Sequence, residues 1–344
     1  MIINDPIIRA QHEAVRNTVG WYCWTHFLLE VTGPDATAFL DKIYVSSITK
    51  MKVGRAKYTT MLNEDGIIID DVIVFHIEED KYWISTLHLN NILIPWLDEH
   101  KADYDVSYED ITSTTEMYAV QGPKSRDLLN AILAENLDDQ KFFTIRENKI
   151  DDAPVKVARN GYTGEWGYEI YTAPEHVELV KTKLAEYGKA FGAVEVTEFQ
   201  VKTWSLPSEK GYNLMSDLRG TNPLEVGFED AIDWSKDFIG KAALEKVKAE
   251  GSKRQLLGFV VDDENVPIEG MNRGSFGAVV KVNGEEAGRV TKYIYSYTFG
   301  KSIGFALVDR ARANPGDRAT ISGYAATLTD KSWYDPENKR PLGK

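Results

Sequence analysis

The sequence predicts an α+β protein in which two related α+β units precede an all-β region. Two segments resemble each other, VTGPDATAFL at 31–40 and VQGPKSRDLL at 120–129, and each places Gly-Pro between a predicted strand and an amphipathic helix. Residues 255–330 are rich in Val, Gly and Tyr and contain turn signals such as Asn283-Gly284. Short strands separated by such turns are typical of a small barrel. We therefore expect two related units followed by a C-terminal β-barrel.

Apolar alternation, turn residues and helix-start signals define the elements of the first predicted unit. In chain order they are a strand at 27–32, a helix at 35–43, strands at 56–62, 67–77 and 81–86, and a helix that ends near Asp98. Asp35 lies in the first turn of its helix, where the helix dipole favours an acid. The segment Asn63-Glu64-Asp65-Gly66 separates two of the strands and therefore predicts a hairpin.

The same signals continue through the second unit and the connection that follows it. In chain order they predict a strand at 115–120, a helix at 124–134, strands at 155–159 and 167–171, and helices at 174–190, 196–206 and 237–249. Pro207 is expected to stop the helix at 196–206. The predicted domains are a first unit at 1–110 with contributions from 195–235, a second unit at 111–195, a helical connection at 196–250 and a barrel domain at 251–344.

Composition restricts the kinds of partner and the cellular location. The chain of 344 residues carries a net charge of -13, which predicts that neither nucleic acid nor an anionic membrane is a main partner. Its one cysteine, Cys23, cannot form a disulfide framework or a thiolate metal cluster. Its six histidines show neither HxH nor HxxxH spacing, so no metal is predicted. The chain lacks a basic and apolar leader and a spanning apolar stretch, and a cytoplasmic location is expected.

The apolar run from Ile67 to Phe75 contains two acids, Asp70 and Asp71. In a strand, Asp70 shares its face with Ile68 and Val72. Burial among apolar side chains raises the pKa of a carboxyl group toward neutrality, where it can transfer protons. The alternative is that Asp70 is a structural acid that caps a neighbouring loop. The pattern makes Asp70 the candidate catalytic residue.

Motifs along nearly the whole chain occur in the order in which one protein family carries them. They are QHEAVRNTVG at 11–20, VTGPDATAFL at 31–40, GRAKYTTMLNEDG at 54–66, IDDVIVF at 69–75, VQGPKS at 120–125, GYTGEWGYEIY at 161–171, EKGYNL at 209–214, PLEVGF at 223–228, DFIGKAAL at 237–244 and AGRVT at 287–291. The chain resembles the folate-dependent aminomethyltransferases, that is, the T-protein of the glycine cleavage system and its demethylase relatives. The resemblance implies a three-lobed ring of two α+β units and a β-barrel, with tetrahydrofolate in a central channel.

The resemblance also implies roles for individual residues. The first aspartate of the family's G-x-x-x-D-D run is taken as catalytic and falls on Asp70. The second acid of G-Y-T-G-E-x-G-x-E, which reads the pterin, falls on Glu169, and a carboxylate can accept two parallel hydrogen bonds from the pterin. Glu165 in the same turn is expected to be structural. Tyr58 and Trp166 are candidates for the wall of the folate and donor pocket.

One segment departs from the family pattern. Where aminomethyltransferases have an arginine and an aspartate, this chain has Thr203 and Trp204, and Lys202 would supply only a point charge. The chain also starts after the family's first segment. We take both departures as evidence against a glycine cleavage role, and we predict that Thr203 and Trp204 contact a small methylated donor. Aromatic walls suit an aryl methyl ether, a sulfonium or a quaternary amine, and the sequence does not separate these donors.

The predicted activity is transfer of a methyl group from a small O-, S- or N-methylated donor to N5 of tetrahydrofolate. One alternative is the glycine cleavage aminomethyltransferase, which would need a lipoyl carrier protein as its partner. A second alternative is a folate-binding accessory protein without transferase activity. Such proteins carry a cysteine after Lys-Gly, whereas Lys210-Gly211 is followed here by Tyr212.

Overall fold

A computed structural model of the chain describes residues 5–24, 26–263 and 277–344. Its strands are β1 (Val19–Cys23), β2 (Phe27–Thr32), β3 (Ala56–Leu62), β4 (Ile68–Glu78), β5 (Lys81–Thr86), β6 (Ser107–Asp110), β7 (Glu116–Gln121), β8 (Ile145–Ile150), β9 (Ala153–Ala158), β10 (Gly167–Thr172), β11 (Ala193–Glu195), β12 (Arg254–Val261), β13 (Val279–Val282), β14 (Glu285–Ser296), β15 (Lys301–Asp309), β16 (Arg318–Ile321) and β17 (Tyr324–Thr329). Its α-helices are α1 (Pro6–Asn17), α2 (Ala36–Ile43), α3 (Ile94–His100), α4 (Ser125–Asn130), α5 (Val177–Gly188), α6 (Leu206–Lys210), α7 (Met215–Leu218), α8 (Pro223–Val226), α9 (Lys241–Glu250) and α10 (Lys339–Leu342). The part of the predicted β-rich region at 264–276 lies outside the described residues.

Five strands form an antiparallel sheet in the order β3-β4-β5-β2-β6. The predicted hairpin joins β3 to β4, and the Asn63 amide donates to the carbonyl of Ile67 at 2.9 Å. Helices α2 and α3 pack on one face of this sheet and form a core with its strands, which includes Phe39, Val74 and Leu97. Because side chains alternate along a strand, the remaining residues of β4 face the opposite side of the sheet.

Six strands form a second sheet in the order β11-β1-β7-β10-β9-β8, in which β1 and β11 are parallel and the other pairs antiparallel. Helices α4 and α5 cover one face, where Leu128 and Leu184 pack with Val120 and Ile170. Strand β1 precedes the whole five-stranded sheet in the chain, yet it pairs with β7 and β11. Residues 19–23, which the sequence places in the first unit, thus belong to the sheet of the second unit.

The C-terminal strands close into a barrel in the order β12-β15-β14-β13-β16-β17. Its interior contains apolar side chains from facing strands, among them Phe259, Val290 and Leu328. Two sheet-rich α+β units followed by a closed barrel confirm the predicted fold class. Residues 330–344 follow β17 and return to the two units; we refer to them as the C-terminal tail.

The segment before the barrel differs from its prediction. A π-helical turn at Val201–Ser205 continues into α6 (Leu206–Lys210), and Pro207 lies in the first turn of α6. Because the π-helical turn runs directly into α6, Pro207 lies within one continuous helical segment, and the wider π-helical turn before it accommodates the residue that lacks an N–H. The prediction that Pro207 stops a helix is therefore wrong.

A buried carboxylate, Glu209 of α6, joins α1 to the barrel. From α1, Arg16 donates to Glu209 Oε2 at 2.8 Å and His12 lies 3.2 Å from the same atom. From the end of the barrel strand β14, the hydroxyl of Ser296 donates at 2.6 Å and the amide of Thr298 at 3.1 Å. Although burial opposes ionisation, His12 and Arg16 hold the pKa of Glu209 far below its usual value. Glu209 is therefore an ionised centre that links α1, near the N-terminus, to the barrel.

Glu165 extends this network to the C-terminal tail. Arg16 donates to Glu165 Oε1 at 3.0 Å, and the tail contributes the hydroxyl of Tyr334 at 2.6 Å and Arg340 at 2.8 Å. Lys210 of α6 also forms an ion pair with Asp335 of the tail at 3.1 Å. These contacts hold the tail against the second unit, and they give Glu165 the structural surroundings expected of it.

Candidate active site

A cavity of about 570 Å³ lies where the two sheets, the segment around α6 and the C-terminal tail meet. Its volume is in the range of small-molecule sites in proteins. Much of its wall is apolar and aromatic, and the residues of this kind are Trp24, Tyr58, Val72, Ile73, Phe142, Phe143, Tyr162, Leu214, Met215 and Phe228. Two carboxylates, Asp71 and Glu169, interrupt this wall. Such a combination can hold a planar organic ligand and place acids against its polar edge.

Asp71 reaches the cavity from β4. The hydroxyl of Tyr58 on the neighbouring strand β3 donates to Asp71 Oδ2 at 2.8 Å, and the Tyr58 ring packs edge-on against Phe228. Burial, and next the nearby charge of Asp70, raise the pKa of Asp71 to about 6. A carboxyl group with this pKa exchanges its proton close to neutral pH. Burial, and next the charge of Asp71, raise the pKa of Tyr58 well above its usual value, so its hydroxyl keeps its proton.

Asp70, the predicted catalytic residue, points away from the cavity toward the other face of the sheet. Its side chain is about 1% exposed, and its carboxylate accepts a hydrogen bond from the Thr86 hydroxyl at 2.6 Å. The second oxygen lies 2.9 Å from Nδ1 of His88. His88 itself lines the cavity, so Asp70 reaches the site through a partner, whereas its neighbour Asp71 reaches it directly.

Glu169 lies on β10 at the other side of the cavity and is 6% exposed. Its Oε2 atom accepts hydrogen bonds from the Asn160 side-chain amide at 2.9 Å and from the Tyr171 hydroxyl at 2.8 Å. Burial raises its pKa, while these two donors oppose the rise. Both hydrogen bonds end on one oxygen, which leaves the other oxygen in a position to accept from a ligand.

The turn that carries Asn160 is held by a buried glutamine. The Gln121 side-chain amide donates to the carbonyls of Asn160 and Tyr168, at 3.1 and 3.0 Å. Its carbonyl accepts from Thr163 at 2.8 Å. A Cβ at Gly161 or at Gly167 would lie within 2.5 Å of the Gln121 side chain, so only glycine lets that side chain pass. This packing explains Gly161 and Gly167 of the motif GYTGEWG and fixes the start of β10.

Thr203 lines the cavity and leaves a polar atom unpaired there. Within the described part of the chain, its buried Oγ1 has no hydrogen-bond partner. The same is true of Nδ2 of Asn213, another cavity residue, and of Oδ1 of Asn160 beside Glu169. Buried polar atoms in native proteins normally have partners. These three atoms have almost no accessible surface, so they would bond to a ligand in the cavity only after a shift of the wall.

The two tryptophans predicted as site residues lie off the cavity wall. Trp166 donates from Nε1 to the Tyr168 hydroxyl at 3.0 Å, and the Arg159 guanidinium stacks 3.6 Å from its ring centre. Trp204 is half-buried and packs edge-on against Phe199. Tyr58, Glu169 and Thr203 are thus brought together around one cavity, whereas Trp166 and Trp204 pack outside it.

Sequence reasoning missed several residues of the wall. His88 follows β5 without a motif of its own, and Asn338, Pro341 and Leu342 come from the C-terminal tail. No local pattern marks residues of the tail as part of a site, because only the tertiary fold brings them to it. Asp71 did carry a signal, since it is an acid in an apolar strand next to Asp70.

Two absences hold for the described residues, 5–24, 26–263 and 277–344. None of their helices is long and apolar enough to cross a membrane. No three His, Cys, Asp or Glu side chains among them are grouped so that they could hold a metal ion.

Comparisons with known proteins agree along the length of the chain. The family model "GCVT N-terminal domain" matches residues 4–236, and the model "Glycine cleavage T-protein C-terminal barrel domain" matches residues 254–335. An aminomethyltransferase of Thermoanaerobacter sp. (strain X514) is 32% identical over 97% of this chain and 91% of that protein. An aminomethyltransferase of Halothermothrix orenii is 34% identical over 93% of this chain and 88% of its own.

A solved structure shares the fold. The glycine cleavage system aminomethyltransferase T from Bartonella henselae superposes with a TM-score of 0.85 and covers 98% of this chain and 92% of its own. Its sequence is 21% identical, so this comparison bears on the fold and not on the activity.

Proposed function

Because this chain belongs to the family defined by the GCVT N-terminal domain and the glycine cleavage T-protein C-terminal barrel domain, we propose that it is an enzyme that transfers a one-carbon group to tetrahydrofolate. The observation that carries this proposal is the arrangement of Asp71, paired with Tyr58, and Glu169 around one apolar cavity. The resemblance noted in the sequence and the names of the relatives support the same class of reaction.

The cavity fits the proposed cosubstrate chemically. Glu169 has an oxygen that can accept from a ring N–H or an exocyclic amine, which is what the edge of a pterin offers. Thr203 and Asn213 line the same cavity, and each has a buried polar atom without a partner that a ligand could engage after a small movement of the wall. The aromatic wall around Phe228 suits the flat ring system.

Tetrahydrofolate, when bound, supplies the N5 nitrogen that accepts the one-carbon group. The protein then has to manage a proton, and Asp71 is placed to hold or take it, since its pKa of about 6 lies close to neutral pH. Tyr58 binds one carboxylate oxygen of Asp71 and leaves the other for the proton. The sequence favoured Asp70 for this task; we propose Asp71 for it and assign to Asp70 the orientation of His88.

The one-carbon group can come from either of two kinds of donor. We propose a small methylated molecule, because the wall at Thr203 is uncharged and most of the cavity is apolar. The names of the relatives support aminomethyl transfer better than they support demethylation. The resemblance noted in the sequence implies a lipoyl carrier protein as the partner in that reaction. Aminomethyl transfer is therefore the second candidate function. A cytoplasmic location, and the lack of nucleic-acid and membrane partners, stay predictions.

Product analysis tests the proposal and separates the two candidates. The purified protein is incubated with tetrahydrofolate and, separately, with methoxylated aromatics, dimethylsulfoniopropionate, glycine betaine and aminomethylated lipoyl carrier protein. We expect 5-methyl-tetrahydrofolate from one of the small donors, and its loss in the variants Asp71→Asn and Glu169→Ala. The variant Glu186→Ala, altered on the exposed face of α5, is the matched control.

Other products would change the conclusion. 5,10-Methylene-tetrahydrofolate from the carrier protein alone would establish aminomethyl transfer and refute the small donor. Tight folate binding without turnover of any donor would instead favour the accessory protein and refute the proposed enzyme.

A further inference from the structure

Two histidines line the cavity, and their surroundings give them different charges. His26 contacts Ser85 and Trp24, and burial lowers its pKa to about 4, so its ring is neutral at pH 7. His88 faces the buried carboxylate of Asp70 at 2.9 Å, and this hydrogen bond raises the pKa of His88. Of the two rings, the surroundings of His88 favour the protonated form and those of His26 the neutral form.

The backbone around His88 fixes where its ring points. The His88 amide donates to the Thr86 hydroxyl at 2.9 Å, and the same hydroxyl donates to Asp70. The His88 carbonyl accepts from the amides of Ile92 and Leu93 at 3.0 Å each, as the π-helical turn begins. The His88 backbone is thus held at its amide and its carbonyl, and the ring is held at Nδ1 by Asp70. Among the described residues none bonds to Nε2, which is the nitrogen left for a ligand in the cavity.

Resting on the proposed function, we infer that His88, oriented by Asp70, donates a proton to the atom of the donor from which the methyl group departs. This role identifies the chemical class of the donor. A sulfonium leaves as a neutral sulfide and a quaternary amine leaves as a neutral amine, so neither needs a proton. The oxygen of a methyl ether leaves as an anion and does need one. The donor is therefore a methyl ether, and the aromatic wall favours an aryl ether.

The reaction balances with the residues present. The carbon–oxygen bond of the ether breaks and a bond forms between that carbon and N5 of tetrahydrofolate. Asp71 takes the proton that N5 loses, and His88 gives a proton to the ether oxygen, which becomes a hydroxyl group. No electron is transferred, and the two proton steps cancel. Asp71 and His88 therefore have opposite tasks in one cavity.

Nuclear magnetic resonance titration tests the pairing without any substrate. His88 is identified in the histidine-labelled full chain by the signal that is lost in His88→Gln. We expect its midpoint above the ordinary value of about 6.5 and a lower midpoint in Asp70→Asn. Three charged groups act on this ring: Asp70 and Asp71 raise its pKa and Arg219 lowers it. An unchanged midpoint in Asp70→Asn would refute the pairing.

Kinetics with a methoxylated aromatic donor test the role itself. We expect His88→Gln to lower kcat at pH 7 by roughly 100-fold, as for loss of a general acid, with little change in KM. In Asp70→Asn, activity should decline at a lower pH than in the parent. His176→Gln, altered outside the cavity at the start of α5, should behave as the parent.

The outcomes separate the two proposals. Turnover of an ether by His88→Gln at the parental rate would refute the proton donor and leave the proposed function standing. Turnover of the sulfonium or the betaine without any turnover of the ether would also refute the role of His88 and leave the proposed function standing. Failure of every donor would refute the proposed function, and the role of His88 with it.

Discussion

Asparagine in place of Asp71 should stabilise the protein at alkaline pH while abolishing its activity. The pKa of Asp71 rises from 3.8 to about 6 on folding, chiefly through burial. The folded state then binds more protons than the unfolded state between these values, so this group's contribution to stability falls as the pH rises. By linkage the penalty is about 1–2 kcal/mol at pH 5 and about 3 kcal/mol at pH 8.

The neutral side chain removes this penalty. Asparagine keeps an oxygen for the Tyr58 hydroxyl, but the bond to a neutral acceptor is weaker by about 1 kcal/mol. We therefore expect Asp71→Asn to be more stable than the parent by about 2 kcal/mol at pH 8 and by about 0.5 kcal/mol at pH 5. Urea unfolding followed by tryptophan fluorescence at both pH values measures this difference.

Asp70, the neighbour of Asp71 in β4, should respond in the opposite way to the same substitution. Asp70 accepts from Thr86 and faces His88, so Asp70→Asn turns an amide toward a donor and should destabilise the protein by about 1–3 kcal/mol. Asp65→Asn, in the exposed hairpin turn, should stay within about 0.5 kcal/mol of the parent. The assignment of a raised pKa to Asp71 would be refuted if Asp71→Asn were less stable than the parent at pH 8. It would also be refuted if the substitution changed the free energy of unfolding by the same amount at both pH values.

Three further changes test the rest of the cavity. Glu169→Ala should weaken binding of 5-formyl-tetrahydrofolate by about 1.5–3 kcal/mol in titration calorimetry, and parental affinity would remove Glu169 from the pterin site. Thr203→Val removes an unpaired buried hydroxyl, so the protein without ligand should unfold at the same or a higher temperature. Its affinity for 5-formyl-tetrahydrofolate should fall by about 0.5–1.5 kcal/mol. Unchanged affinity would mean that Oγ1 meets no ligand atom. Trp166→Leu should leave that affinity unchanged and lower stability by about 1–3 kcal/mol through lost contact with Arg159, whereas weaker ligand binding would place Trp166 in the site after all.

Local patterns predicted those elements whose partners lie nearby in the chain. The hairpin between β3 and β4 followed from its turn residues, and the barrel followed from short strands and turns in one continuous region. Strand β1 could not be placed in this way, because it pairs with β7 and β11 across the whole first sheet. Pairing between distant segments leaves no periodic signal in either of them.

The two acids of β4 show where sequence reasoning about the site stopped. Alternation establishes that Asp70 and Asp71 face opposite sides of the sheet. It does not tell which side carries the helices and which side carries the cavity, since both faces of the strand are apolar. That distinction depends on α2 and α3 packing on the face of Asp70. Glu169 was easier to select, because its position within a long motif did not depend on a choice between faces.

The carboxylate of Glu209 has a consequence for how the molecule folds. Its partners come from α1, near one end of the sequence, and from β14 in the barrel. A partly folded chain without either of them would bury an ionised group that lacks its donors, at a cost of about 3–5 kcal/mol. Helix α1, the segment around α6 and the barrel should therefore form and melt in one cooperative transition. A barrel separated from the rest would lose this link, and so would an N-terminal fragment that retains Glu209.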